Sequence, residues 1–191
     1  MNDLAFYFRE GWHHIVSTDA LDHQLFILAL CAVYLLKDWR QVLILVTAFT
    51  IGHSLTLALS VYDIIRINDK WVEFLIPCTI IITAAFNFFQ KDFHEKKLRL
   101  NYFFALFFGL IHGLGFANTI RFMLAKDQAI GWGLFGFNVG LEAGQLLAVT
   151  IILSCSYLVV NLAGLKKMWW IYLLSTVAFI WAVKFAAERI P

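Results

Sequence analysis

The chain has 191 residues, of which 61% are hydrophobic and 17% aromatic, and its formal net charge is +2. A soluble domain of this size needs a mostly polar surface, so this composition, with a mean hydropathy of +0.76, indicates an integral membrane protein. The small charge favours neither nucleic-acid binding nor a polybasic membrane anchor. We expect one all-α membrane domain over residues 1–191.

The N-terminal segment precedes the first apolar run. Residues 3–14 predict an amphipathic helix that lies at the membrane interface, with Phe6, Phe8 and Trp12 as apolar anchors. The start of the chain lacks a basic leader followed by an apolar stretch and a cleavage site, so no secretory signal peptide is expected.

The first predicted span places two ionisable residues inside the membrane. Its apolar run, residues 24–36, rises only about 20 Å as a helix, whereas a hydrocarbon core is about 30 Å thick. Charges at 37–40 block extension beyond the run, so the missing turns come from residues 16–23. Asp22 and His23 therefore lie below the surface, where ionisable side chains are rare and usually functional.

Five further apolar segments bring the predicted membrane-spanning helices to about six. They cover residues 41–61, 71–90, 101–120, 132–161 and 168–186. Basic residues cluster in the first, third and fifth short loops, whereas those on the opposite side are dispersed among acids. We therefore expect a multi-pass membrane protein with both termini on the outer side.

Polar residues of separate spans share one depth. From the helical rise, His53 on the second span and His112 on the fourth lie about 12 Å below the outer face, and Glu142 on the fifth about 15 Å below it. Asp22 and His23 lie a turn or two into the first span. Polar residues that occurred in these spans by chance would not all lie at one depth in the same half of the membrane. The sequence therefore predicts a common site in the outer half.

Other polar residues belong to the same side of the membrane. Asn138, Glu142 and Gln145 lie at i, i+4 and i+7, so they share a helix face that points into the bundle. Glu73 opens the third span near the outer mouth, and His14 precedes the first span as a candidate ligand or entry-site residue. We assign this set to the site or its entrance.

The residue types indicate a metal site. The candidate ligands are His14, Asp22, His23, His53, His112 and Glu142. Imidazoles with carboxylates and without clustered thiolates suit nickel, cobalt, zinc or copper. The alternative is that these groups only hold helices together, at about 0.6 kcal/mol per pair, but that role needs no charged groups. Metal binding should weaken below about pH 6, because imidazole must be deprotonated to bind.

Glycines recur every four residues on two spans: Gly109, Gly113, Gly136, Gly140 and Gly144. Such small residues let helix backbones approach closely, which is the default interpretation. The alternative is that Gly113 and Gly115, beside His112, loosen the fourth helix so that carbonyl groups line a cavity.

At these residues the chain resembles the HupE/UreJ family of bacterial membrane proteins, particularly its shorter members without a signal peptide. The matching strings are Asp22-His-Gln-Leu-Phe26, Phe49-Thr-Ile-Gly-His-Ser-Leu-Thr-Leu57, Phe108-Gly-Leu-Ile-His-Gly-Leu-Gly-Phe-Ala117 and Asn138-Val-Gly-Leu-Glu-Ala-Gly-Gln145. The resemblance covers nearly the whole chain and implies nickel or cobalt permeation linked to maturation of hydrogenase or urease. It further implies a bacterial inner-membrane protein, whose outer side, with both termini, would be the periplasm. It also implies that the first-helix histidine and aspartate and the later histidines carry the metal. Extra residues, Ser17 to Leu21, distinguish this chain from the longer members.

Three functions fit these residues. The leading hypothesis is a divalent-metal permease, either passive or proton-coupled, in which the metal ion enters past His14 and Glu73. The alternative is an intramembrane metallohydrolase, in which three ligands leave a fourth zinc position for water and Glu142 or Asp22 is the general base. The third is a structural or sensory metal-binding membrane protein.

The polarity of the residues in the inner half of the membrane distinguishes these hypotheses, because a permease needs polar groups that continue toward the inner face. That half is conspicuously apolar, with Asn87 and Asn161 as its main polar residues, which favours the closed pocket of an enzyme. The expected partners are membrane lipid and the divalent ion. A second copy of the chain and metalloenzyme maturation proteins are further candidates, and nucleic acid is not expected.

Overall fold

The computed structural model describes residues 3–89, 98–124 and 130–191, and within those ranges it contains eight α-helices and no strand. The helices are α1 (Asp3–Val16), α2 (Leu21–Cys31), α3 (Trp39–Val61), α4 (Asp69–Phe89), α5 (Leu98–Gly115), α6 (Ala117–Leu124), α7 (Ile130–Ser156) and α8 (Lys167–Glu188). α7 continues as a π-helical stretch, Tyr157–Leu162. The predicted all-α membrane bundle is confirmed. Most of the third predicted loop, residues 91–99, one of the three in which basic residues cluster, lies outside the described residues.

Single helices account for four of the predicted spans. The stretches long and apolar enough to cross a membrane are Leu36–Val61, Asp69–Phe89, Ile130–Leu162 and Lys167–Glu188. Asn101–Gly115 and Ala117–Met123 pass the same test together, as a pair bent by 53°. The fourth predicted segment is therefore broken just after Gly115, and the protein crosses the membrane several times.

The first predicted span, residues 16–36, is not one continuous helix. α2 has 11 residues, about 16 Å, which is too short to cross a core of about 30 Å alone. α1 precedes it, and Gln24 ties the two together by donating hydrogen bonds to the carbonyls of Ile15 and Ser17 at 3.0 and 2.9 Å. α1 packs on the first half of α7, and α2 lines a groove with the part of α7 that begins at Gly144.

α1 lies lengthwise on α7 through glycines. A Cβ atom at Gly140 would lie 1.9 Å from the Phe8 carbonyl oxygen, and one at Gly11 would lie 1.9 Å from the Phe137 carbonyl oxygen, so only glycine permits this approach. The contacts advance together along both helices: Leu4 with Gly136, Phe8 with Gly140 and Ile15 with Gly144. The helix predicted over residues 3–14 therefore exists, but it runs parallel to a spanning helix, which corrects its expected position flat on the membrane surface.

α3 and α5 are joined in the same way. A Cβ atom at Gly109 would lie 2.2 Å from the Phe49 carbonyl oxygen, and one at Gly113 would lie 2.3 Å from the His53 carbonyl oxygen. These contacts also advance together, so α3 and α5 run parallel. His53 and His112 consequently lie at one level, as their depths predicted, and the packing interpretation of these glycines is confirmed.

Candidate metal centre

Three histidines meet inside the bundle. His14 near the end of α1, His23 in the first turn of α2 and His53 in α3 each offer one ring nitrogen, and these atoms lie within 4.8 Å of one another. The ring centroids of His14 and His23 are 4.6 Å apart, and those of His23 and His53 are 5.8 Å apart. We call these residues the three-histidine group. Among the described residues, no other cluster of histidine, cysteine and acidic side chains meets the same distance criterion.

The turn between α1 and α2 brings His14 and His23 together. Residues Thr18–Ala20 form a short 3-10 turn, and the Gln24 side chain holds this turn against the end of α1. The extra residues noted in the sequence, Ser17 to Leu21, make this turn. Two histidines nine positions apart thereby become ring neighbours, which a continuous helix would not allow.

His112 adds a fourth imidazole beside this group. Its ring centroid lies 5.0 Å from that of His23, and its Nε2 atom lies 2.9 Å from the Thr79 hydroxyl. That hydroxyl also lies 2.7 Å from the Ile76 carbonyl, and when it donates its single hydrogen there it accepts a hydrogen bond from Nε2–H of His112. In that tautomer the lone pair of His112 is on Nδ1, which is buried without a hydrogen-bond partner.

The buried imidazoles have nitrogens available for a metal. His53 is fully buried and neither of its ring nitrogens has a hydrogen-bond partner, and Nε2 of His14 and of His23 also lacks one. A buried polar atom without a partner costs about 1–3 kcal/mol, and one divalent cation would satisfy several such atoms together. Imidazole donors without thiolates fit nickel, cobalt and zinc.

Aromatic rings enclose the histidines. The Phe116 ring centroid lies 4.2 Å from that of His14, and the centroids of Phe26 and Phe49 each lie 5.1 Å from that of His112. Phe26 and Phe49 are buried, so water is kept from this side of the imidazoles. The sequence interpretation missed these residues, because a phenylalanine in an apolar span carries no signal that separates it from a lipid-facing one.

A cavity of about 790 Å³ opens onto the histidines from one side of the bundle. His14, His23 and His112 line its interior, and Glu73 lines it as the predicted entrance residue. Its charged residues are Arg9, Glu10, Asp19, Asp22, Glu73 and Arg189. Four carboxylates against two guanidinium groups leave the cavity net negative, which attracts cations.

Asp22 lines this cavity but lies outside the three-histidine group. Its Oδ2 atom accepts a hydrogen bond from Arg189 Nη1 at 2.8 Å, and its Oδ1 atom is buried without a partner. Arg189 follows the last residue of α8, so the sequence offered no means of pairing it with a carboxylate 167 positions away. One oxygen of Asp22 remains available to a cation.

The structure does not bring Glu142 to the three-histidine group. Its Oε1 atom accepts a hydrogen bond from Thr47 at 2.9 Å, and Gln145 Oε1 accepts one from Thr50 at 2.7 Å. Both bonds join α7 to α3. The Oδ1 atom of Asn138, from the same predicted face, is buried without a partner. Two residues of the helix face predicted from sequence therefore bond to α3, and none of its residues belongs to the three-histidine group.

The family described as HupE / UreJ protein matches residues 1–189, essentially the whole chain. The chain belongs to the HupE/UreJ family. This family is associated with nickel and cobalt transport for hydrogenase and urease. Comparisons with curated proteins and with solved structures find no match to this family member. Its membership and its apolar helices agree in making it a multi-pass membrane protein.

Proposed function

We propose that this protein is a permease for divalent nickel or cobalt in the bacterial inner membrane, with both termini on the periplasmic side. The main support for the proposal is that His14, His23 and His53, from three separate helices, lie together at one buried point behind a net-negative cavity. The association of the family with nickel and cobalt supports metal as the cargo.

The cation enters through the cavity. Glu73 and Asp22 raise the local cation concentration, and the ion then exchanges water for imidazole nitrogens. Neutral imidazoles bind nickel without neutralising its charge. Conduction requires a site that binds strongly enough to admit the ion and weakly enough to release it, and imidazoles without thiolates meet that requirement.

Uptake of radioactive nickel by proteoliposomes tests the permease. We expect the wild type to accumulate nickel along an inward gradient, at a rate at least about tenfold above that of His53→Ala, since His53 is fully buried at the meeting point. Protein-free liposomes give the leak rate. Wild-type uptake no faster than this leak would contradict the permease.

The same geometry supports an intramembrane metallohydrolase as a second candidate. Three imidazoles beside an open cavity match a catalytic zinc site, where the fourth position holds water. Asp22 is the better candidate general base, because it lines the cavity with the histidines, whereas Glu142 is not among the lining residues. A hydrolase would retain its zinc and show no flux in the uptake experiment, as would a structural or sensory metal protein.

Thr79 is hydrogen-bonded to His112, which we include in the proposed site as a fourth ligand beside the three-histidine group. Thr79→Val removes the hydroxyl that holds His112 in the tautomer with Nδ1 free, and we expect nickel affinity to fall by about 10-fold, the lower end for loss of a metal ligand's hydrogen-bond partner. Thr79→Ser keeps the hydroxyl and should retain affinity. Isothermal titration of purified protein measures both, and equal affinities for valine and serine variants would contradict this role.

A further inference from the structure

A small chamber lies on the far side of the histidines from the cavity mouth. It has a volume of about 70 Å³, and three polar side chains, Thr83, Asn87 and Asn101, line it among apolar ones from α2, α4 and α5. A water molecule needs about 10–15 Å³ of such space and two or more polar partners, so the chamber can hold several waters.

A polar face of α4 connects this chamber to the metal centre. Thr79, Thr83 and Asn87 lie at i, i+4 and i+8, so they share one side of the helix. Thr79 contacts His112, and the Thr83 hydroxyl donates to the Thr79 carbonyl at 2.8 Å. The face extends about 12 Å from the histidines toward the end of α4.

Polar groups continue from there to the inner ends of the helices. Asn87 lies two residues before the end of α4, and Asn101 lies three residues after the start of α5. The Asn101 amide donates to the Tyr34 hydroxyl at 3.1 Å. The inner half is therefore more polar than the sequence suggested, and Asn161, named there as a main polar residue, lies exposed in the π-helical stretch after α7.

Helix adhesion explains only part of this arrangement. The Asn87 amide joins three helices by donating to the Ala29 carbonyl and the Ser175 hydroxyl at 2.8 and 3.0 Å. The bond from Asn101 to Tyr34 also joins two segments, but adhesion gives no reason for Thr83, whose hydroxyl bonds within α4, to line the same small chamber as Asn101. A hydrated passage does give one, since both are polar groups placed beyond the imidazoles on the side away from the mouth.

Phe26 and Phe108 separate the two compartments in this conformation. The Phe26 ring centroid lies 5.1 Å from that of His112 and 6.0 Å from that of Phe108, which lines the chamber. The mouth side is thus open to the histidines while the chamber side is closed. This is the arrangement of an outward-open state in alternating access.

We propose that the chamber and the polar face of α4 form the inner exit route of the metal ion. This inference rests on the proposed permease and adds the residues by which cargo leaves. Nickel passing from imidazoles to hydroxyl, amide and water oxygens exchanges stronger ligands for weaker ones, which favours release. The same oxygens replace parts of the hydration shell, which lowers the cost of moving a cation through the inner half.

Cysteine accessibility tests the hydration of this route without depending on transport. In protein whose Cys31, Cys78 and Cys155 are replaced by alanine, we expect Thr83→Cys to react with a membrane-impermeant methanethiosulfonate at least tenfold faster than Ile82→Cys. Ile82 is the next residue on α4 and is 42% exposed on its outer, apolar side, so it faces lipid. The reagent should act from the side opposite the cavity mouth. Equal rates for the two cysteines would overturn the hydrated route.

Flux and binding measured together distinguish the exit route from the permease itself. We expect Thr83→Val/Asn87→Leu to slow nickel uptake at least fivefold while nickel affinity stays within twofold of the wild type. Thr83→Val alone keeps the side-chain shape and should show a smaller loss of flux, which guards against misfolding. Thr150→Val removes an exposed hydroxyl on α7 outside the route and should transport normally.

The possible outcomes distinguish failure of the permease from failure of the exit route. No uptake by the wild type would contradict the permease and the exit route together. Normal uptake by both the wild type and Thr83→Val/Asn87→Leu would overturn the exit route alone.

Discussion

Replacing His14 by alanine should lower nickel affinity by at least about 100-fold, because a direct ligand contributes more than the hydrogen-bond partner of a ligand, whose loss costs about 10–100-fold. His14 supplies one of three nitrogens that lie within 4.8 Å of one another. His23→Ala and His53→Ala should produce losses of the same size, since each removes one member of the same group. Isothermal titration with nickel and metal analysis of the purified variants measure the effect.

His13→Ala is the matched control for this series. His13 precedes His14 in α1, carries the same imidazole and is exposed, but it is not part of the three-histidine group. Its removal changes the number of histidines without changing the three-histidine group. Nickel affinity should therefore stay within about twofold of the wild type, a change of roughly 0.4 kcal/mol in binding free energy. An equal loss for His13→Ala and His14→Ala would show that nickel binds somewhere else.

Gly140→Ala should separate α1 from α7 and displace His14 with it. The added Cβ atom would lie 1.9 Å from the Phe8 carbonyl oxygen, which is backbone and cannot rotate away. Overpacking costs about 1–3 kcal/mol, and we expect about 3 kcal/mol here because the obstruction is rigid. For a chain of this size that corresponds to a lowering of Tm by about 6–12 °C, measured by thermal unfolding in detergent.

Gly131→Ala separates this steric effect from the general effect of alanine in a helix. Gly131 lies near the start of the same helix, and an added Cβ atom there meets nothing within 4 Å. Alanine at this position should leave Tm unchanged or raise it slightly, since it is the better helix former by about 0.5–1 kcal/mol. Unfolding of Gly140→Ala at the wild-type temperature would contradict the packing described for α1.

Metal stabilisation links this packing to the site. A ligand that binds only the folded state raises its stability, by about 2.7 kcal/mol at 100 times Kd. Saturating nickel should therefore raise the Tm of the wild type and of Gly131→Ala. It should raise that of Gly140→Ala much less, because His14 is carried on the displaced helix one turn beyond Gly11.

The sequence by itself determined the class of protein, the positions of the apolar segments after the first, and the common level of His53 and His112. These properties follow from local physics. Backbone groups in a bilayer must bond within the segment, so a long apolar run has to be a helix. A fixed rise of about 1.5 Å per residue then converts sequence position into depth. The four-residue spacing of the glycines likewise indicated close helix contacts before their partners were known.

Only the tertiary structure decided how far each helix is rotated about its axis and where a helix breaks. Glu142 has a predicted depth suited to the site, yet its carboxylate bonds to Thr47 on α3, whereas His14, predicted as either a ligand or an entry-site residue, is a member of the three-histidine group. Rotation and breaks depend on backbone contacts between residues far apart in sequence, such as Gly140 against Phe8. Depth is a local property of one helix, but a shared metal centre requires several helices to face one another, and that is fixed by their packing.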